Sequence, residues 1–152
     1  MLHTATAVLN ASAHAGVSAS LPTTREPERI RWAAADLFAQ GRSAEADLLV
    51  GEALQHYPDS QDLLAMRALL SEVRQDWPAA AQALERLLRL QGAGAPVQAW
   101  RQWVRVLRCQ GEIRQAIEAA LQGLAQHAND PDLARELAQL ESVGPRSEQK
   151  AA

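Results

Sequence analysis

With 152 residues and 47% hydrophobic content, the chain is sized for one domain with a buried core. Aromatics make up only 4%, four of them Trp, so Ala and Leu must supply most of the packing, a balance that favours helices. A net charge of −3 offers no global positive field to nucleic acid or anionic membrane, the single cysteine cannot form an internal disulfide, and no apolar run approaches the ~18 residues of a membrane span.

Residues 1–25 read as a flexible or partner-ordered N-terminal tail, the first 24 without any Asp, Glu, Lys or Arg. A weak apolar stripe (Ala5, Val8, Leu9) is too short to overcome helix nucleation alone, so order would have to come from a neighbour or from the protein's own groove. From Glu26 charged and apolar residues alternate at helical spacing. Pro27 suits the first turn of a helix carrying Ile30, Ala33, Ala34 and Leu37, broken at Gln40-Gly41-Arg42. Ser43 is the expected cap of a second helix with Ala46, Leu49, Val50, Ala53 and Leu54, ending at Tyr57-Pro58.

Asp59 or Ser60 caps a third helix with Leu64, Ala68 and Ser71 on one side. Asp76 caps a fourth, entered through Trp77-Pro78, with Ala80, Ala81, Leu84, Leu87 and Leu88 inside and Gly92-Ala93-Gly94 at its end. Pro96 opens a fifth helix with Trp100, Trp103, Val104 and Leu107, closed by Gly111. The sixth carries Ile113, Ala116, Ile117, Ala120 and Leu124. Asp130-Pro131 starts a seventh with Leu133, Leu137 and Leu140 to cover the sixth and Arg135, Glu136 and Glu141 toward water; a polar tail follows from Gly144. Gly41 sits where a positive φ is expected. Gly123 lies inside a helix, where Ala should gain roughly 0.5–1 kcal/mol.

The breaks recur. Ala46 to Ala80 is 34 residues and Ala80 to Ala116 is 36, with the extra two in the Gly92–Ala95 loop. That period marks a solenoid of helical hairpins. The fold class is therefore an all-α, α-hairpin solenoid of about seven helices.

In its repeats the chain resembles the tetratricopeptide repeat family. Ala34, Leu37, Gly41, Ala46, Ala53 and Pro58 fall in that pattern in the first repeat. Ala68, Trp77 and Ala80 do so in the second, and Trp100, Leu107, Gly111 and Ala116 in the third. Gln75 stands where Gly is usual, Gly92 where the closing Pro would be, and Gly123 where a later Ala would be. The resemblance implies three degenerate helix pairs over 26–128, a capping helix over 129–143 and a polar tail over 144–152.

It also implies that the first helices of successive repeats line a concave face that holds ligands. By register that lining is Glu28, Arg31, Ala35 and Phe38, then Asp62, Ala65, Leu69, Glu72 and Val73, then Gln98, Arg101, Arg105, Arg108 and Cys109. The expected peptide groove is Arg31, Phe38, Ala65, Leu69, Val73, Arg101, Arg105 and Arg108, apolar at its centre and basic at one end. Arg101, Arg105 and Arg108, spaced i, i+4, i+7, share one helix face away from the Trp100–Trp103–Leu107 stripe, so their removal should cost little stability. A free stripe of that kind would hold acidic side chains or a terminal carboxylate. Members that clamp the acidic tails of large chaperones place Lys, Asn, Asn, Lys and Arg in the groove. The matching positions here are Arg31, Ala35, Met66, Gln98 and Gln102, which argues against that mode.

No catalytic group, cofactor or metal site is expected. The four histidines include no i, i+4 pair, and His56 and His127 sit at C-terminal ends of second helices, where a cation complements the dipole. Gly92-Ala93-Gly94 lacks the following Gly and Lys of a phosphate loop, and Cys109 has Arg105 and Arg108 nearby but no base. The leading function is an adaptor or chaperone-like module that binds another protein or peptide, with acidic groups where it meets the arginines. It binds no nucleic acid and spans no membrane. The architecture also resembles the small secretion-system chaperones of bacteria, although those carry more aromatics. The alternative is a self-associating structural component that packs through convex or terminal surfaces, motivated by Trp32, which lies off the Ile30–Ala34–Leu37 face. The cytoplasm is the expected compartment, since one cysteine ties the fold to no oxidising one and the first residues lack a signal's basic patch and apolar core.

Overall fold

The computed structural model describes residues 25–148, with side chains described over 26–144; the expected N-terminal tail and the last residues of the C-terminal tail lie outside the described residues. Seven α-helices follow in order: α1 (Arg25–Ala39), α2 (Ser43–His56), α3 (Gln61–Val73), α4 (Trp77–Gln91), α5 (Val97–Gln110), α6 (Ile113–Gln126) and α7 (Pro131–Glu148). Each helix packs on the next, which makes the fold an all-α solenoid of antiparallel hairpins.

The turns inside the three hairpins share one geometry. Residues 41, 75 and 111 have φ of +77°, +58° and +84°. In each turn the following N–H reaches back to a carbonyl five residues earlier: Arg42 to Leu37, Asp76 to Ser71 and Glu112 to Leu107. Two of these left-handed positions are glycine; Gln75 takes the same conformation with a side chain attached.

Caps set the helix starts. Ser60 Oγ accepts from the Leu63 N–H, Asp76 from Ala79 and Asp130 from Leu133. Ser43 does not cap α2. The cap residue is Arg42, whose side chain gives the backbone nothing and pairs instead with Glu45 in the first turn, while Ser43 is already helical. Helix α7 also runs further than expected, past Gly144 to Glu148.

Three buried clusters follow the hairpins. The first holds Ala34, Ala46, Val50, Met66 and Leu70; the second Leu64, Ala68, Ala80, Leu84 and Val106; the third Trp100, Val104, Leu107, Ala116, Ala120, Leu133 and Leu140. Leu133 and Leu140 are buried and Leu137 half-buried, so α7 closes the third cluster as the apolar spacing suggested. Gly123 corrects another expectation. It is buried within α6, and a Cβ built on it would lie 2.9 Å from Leu133 Cδ1 and 3.0 Å from Trp100 Cβ. Its lack of a side chain lets α5, α6 and α7 meet, so alanine there overpacks rather than stabilises.

The candidate groove on the inner face

Among the first helices of successive pairs, α1 packs on α3 and α5 on α7, while α3 and α5 are bridged by Glu72 with Gln102 and Arg105. The second helices are splayed, leaving open grooves of about 460 Å³ between α2 and α4 and about 520 Å³ between α4 and α6. The array therefore curves with α1, α3, α5 and α7 on its inner side, the geometry the register argument needs.

Because α1, α2 and α3 alternate in direction, α1 and α3 run the same way. Arg31 and Asp62 tie them across, with Nε 3.8 Å from Oδ1. Seven residues further along each helix come Phe38 and Leu69, two turns up the same faces. Phe38 is half-buried against the first cluster, whereas Ala65 is exposed, Leu69 is 46% exposed and Val73 is 52% exposed. The expected apolar centre thus has a buried base on α1 and open residues on α3. Helix packing explains the split: Leu63, Leu64, Met66, Ala68 and Leu70 take the buried faces of α3, which leaves positions 65, 69 and 73 to the open side.

The arginines of α5 lie on one face, but each is engaged within the chain. Arg101 forms hydrogen bonds to both carboxylate oxygens of Asp130, one from Nε at 3.1 Å, and its Nη1 lies 3.0 Å from Asp132. Arg105 donates to Glu72 Oε2 at 2.5 Å, and the Gln102 amide donates to the other oxygen of the same carboxylate. Arg108 Nε lies 3.4 Å from Glu136, which therefore does not simply face water. The Arg101 guanidinium holds the Asp130 carboxyl below the usual carboxylate range, helped by the Leu133 N–H and opposed by desolvation; the same pair raises Arg101.

These pairs revise the expectation that the stripe is dispensable for stability. Asp130 is 7% exposed at its side chain and Glu72 11%, so removing the arginines strands two largely buried carboxylates. Sequence reasoning placed Glu72 on the lining and Asp130 at the start of α7 but missed that they face these arginines, about thirty positions away in the chain. The period gave a usable signal: Glu72 and Arg105 are 33 residues apart and Arg101 and Asp130 are 29, close to one repeat.

At the clamp-like positions Met66 is buried and Gln102 is committed to Glu72, so only Arg31 offers charge there. His127 does more than sit at a helix end. Its Nε2 donates to the Ala95 carbonyl oxygen at 2.9 Å and pins the loop before α5. Cys109 is an exposed free thiol. Among the described residues no group of three or more His, Cys, Asp or Glu is placed to hold a metal ion, and no helix is long and apolar enough to cross a membrane.

A tetratricopeptide repeat model matches residues 97–140, which span α5, α6 and the first part of α7. No curated protein matches. Among solved structures, the first tetratricopeptide domain of human RPAP3 aligns with a TM-score of 0.67 at 14% identity, covering 83% of this chain and 98% of that one. The Sgt2 tetratricopeptide domain from Aspergillus fumigatus gives 0.66 at 18%, covering 84% of each chain. The first such domain of Spaghetti (RPAP3), bound to the HSP90 peptide SRMEEVD, gives 0.66 at 14%, covering 78% of this chain and 93% of that one. The fold is tetratricopeptide-like, with several helix pairs and a capping helix.

Proposed function

We propose that this chain is a protein-binding module that holds a client segment on its inner face, seated on Phe38, Ala65, Leu69 and Val73. The observation that carries this reading is the open pair Leu69 and Val73, one turn apart on a helix whose other large apolar residues are buried. The similar RPAP3 domain in complex with an HSP90 peptide supports it as a use to which this fold is put. The client differs in chemistry from that acidic peptide. Arg101, Arg105 and Arg108 already face carboxylates of their own chain, so a ligand carboxylate would have to displace them. Apolar burial, with backbone hydrogen bonding at the edges, is the better source of affinity.

A photo-crosslinking side chain placed at Ala65 tests this in native lysate. The expected result is one dominant crosslinked protein from position 65 and none from Leu48 or Leu121, which are exposed on second helices. Crosslinks only from 48 or 121 would refute it and favour a second reading, self-assembly through the ends and outer side. That reading has its own observation: Trp32 is 57% exposed and Leu48 68% exposed, on α1 and α2 at the first end of the array.

A further inference from the structure

Deepening that reading of the inner face, we propose that residues 1–24 of the same chain fold back onto the strip formed by Phe38, Ala65, Leu69 and Val73 and occupy it until a client displaces them. The first argument is charge. The strip is uncharged, and the ionised groups at its borders are already matched, Arg31 with Asp62 at one end and Glu72 with Arg105 at the other. A suitable occupant therefore brings apolar side chains and no charge, since a buried unmatched charge would be costly. Residues 1–24 have that composition: Leu2, Val8, Leu9, Val17 and Leu21 among Ala, Ser and Thr, with no Asp, Glu, Lys or Arg.

The second argument is length and attachment. The segment joins the fold at Arg25, the first residue of α1, which is itself a wall of the groove. Phe38 lies 13 residues along that helix, about 20 Å away at 1.5 Å per residue. Twenty-four residues can reach up to about 80 Å when extended, so the segment can turn back and still lie along the strip. Tethering gives it an effective concentration on the order of millimolar, enough for a weak sequence to compete with a client in solution.

The test uses the full chain with Cys109→Ser and Ser12→Cys, carrying a nitroxide on the introduced thiol, with amide signals read by NMR. The expected result is a loss of signal intensity at Ala65, Leu69 and Val73, restored by reducing the nitroxide, with Leu48 and Leu121 unaffected. Adding Leu69→Glu and Val73→Glu should return the Ala65 signal. A mixture of nitroxide-bearing chains without isotope and isotope-enriched chains without nitroxide should show no loss. Intact signals at the strip, losses centred on Trp32 instead, or losses in the mixture would each overturn the proposal. Intact signals together with a client crosslinked from position 65 would remove the self-docking alone. Loss of signal without any crosslinked client would sustain it and count against the client-holding reading.

Discussion

Gly123 of α6 lies against Trp100 of α5 so closely that a Cβ on the glycine would stand 3.0 Å from the Trp100 Cβ. Exposed helical glycines gain roughly 0.5–1 kcal/mol on replacement by Ala. Here the overlap also involves Leu133, and overpacking of this kind costs about 1–3 kcal/mol. Gly123→Ala should therefore melt below the parent. Gly51→Ala should not, because a Cβ there meets only the far end of the Arg67 side chain, at 3.4 Å. Thermal melts of the two variants check this, and a Gly123→Ala protein as stable as the parent would show that the three helices do not meet so closely.

Gln75 provides the opposite case. It holds φ of +58° at the turn where residues 41 and 111 are glycine. A left-handed residue with a side chain costs about 1 kcal/mol, so Gln75→Gly should stabilise by that order. For a domain of this size the melting temperature should rise by about 2–4 °C. A fall would mean that the Gln75 side chain makes a contact worth more than the strain.

The helices and their breaks were legible because they are local. The 3.6-residue period, the caps at Ser60, Asp76 and Asp130, and the turn glycines at 41 and 111 all lie within a few residues of what they determine. Gly123 was not legible in this sense, since its closest approaches are to residues 23 positions before it and 10 after it, on other helices. The arginine stripe was half legible. Spacing put the three on one face of α5, but spacing along one helix says nothing of what faces them from the next. The apolar strip came from register within the repeat, and the structure leaves Ala65, Leu69 and Val73 open there.

Replacing Arg101, Arg105 and Arg108 together by Ser should lower the melting temperature, because Glu72 and Asp130 lose the cations that face them. A double-mutant cycle isolates one pair. Arg105→Ser and Glu72→Gln, singly and together, should show a favourable coupling of about 0.2–1 kcal/mol, since Arg105 is half exposed and screened by solvent. Additive effects would place that pair among surface contacts that contribute nothing.

Acid should reveal the Asp130 pair. Its carboxyl is held below the usual range chiefly by the Arg101 hydrogen bonds. A group whose folded value is depressed stabilises the fold above its unfolded value and loses that contribution as pH falls through the folded one. Asp130→Asn keeps an oxygen to accept from the Leu133 N–H but removes the charge. The parent should therefore melt above this variant at neutral pH, with the gap closing below the ordinary carboxylate range. A gap independent of pH would show that the charge contributes nothing there.

The most direct test of the inner-face account is the affinity for the protein captured through position 65, compared between two matched double variants. Leu69→Glu with Val73→Glu puts charge on the strip, whereas Leu48→Glu with Leu121→Glu puts the same charge on exposed positions of the second helices. Burying one such side chain contributes on the order of 1.5–3 kcal/mol, so the first variant should bind at least tenfold more weakly, with its helical content unchanged. The second should bind as the parent does. Equal affinity for both, or loss confined to the variant at 48 and 121, would contradict the account and place the binding surface on the outer side of the array.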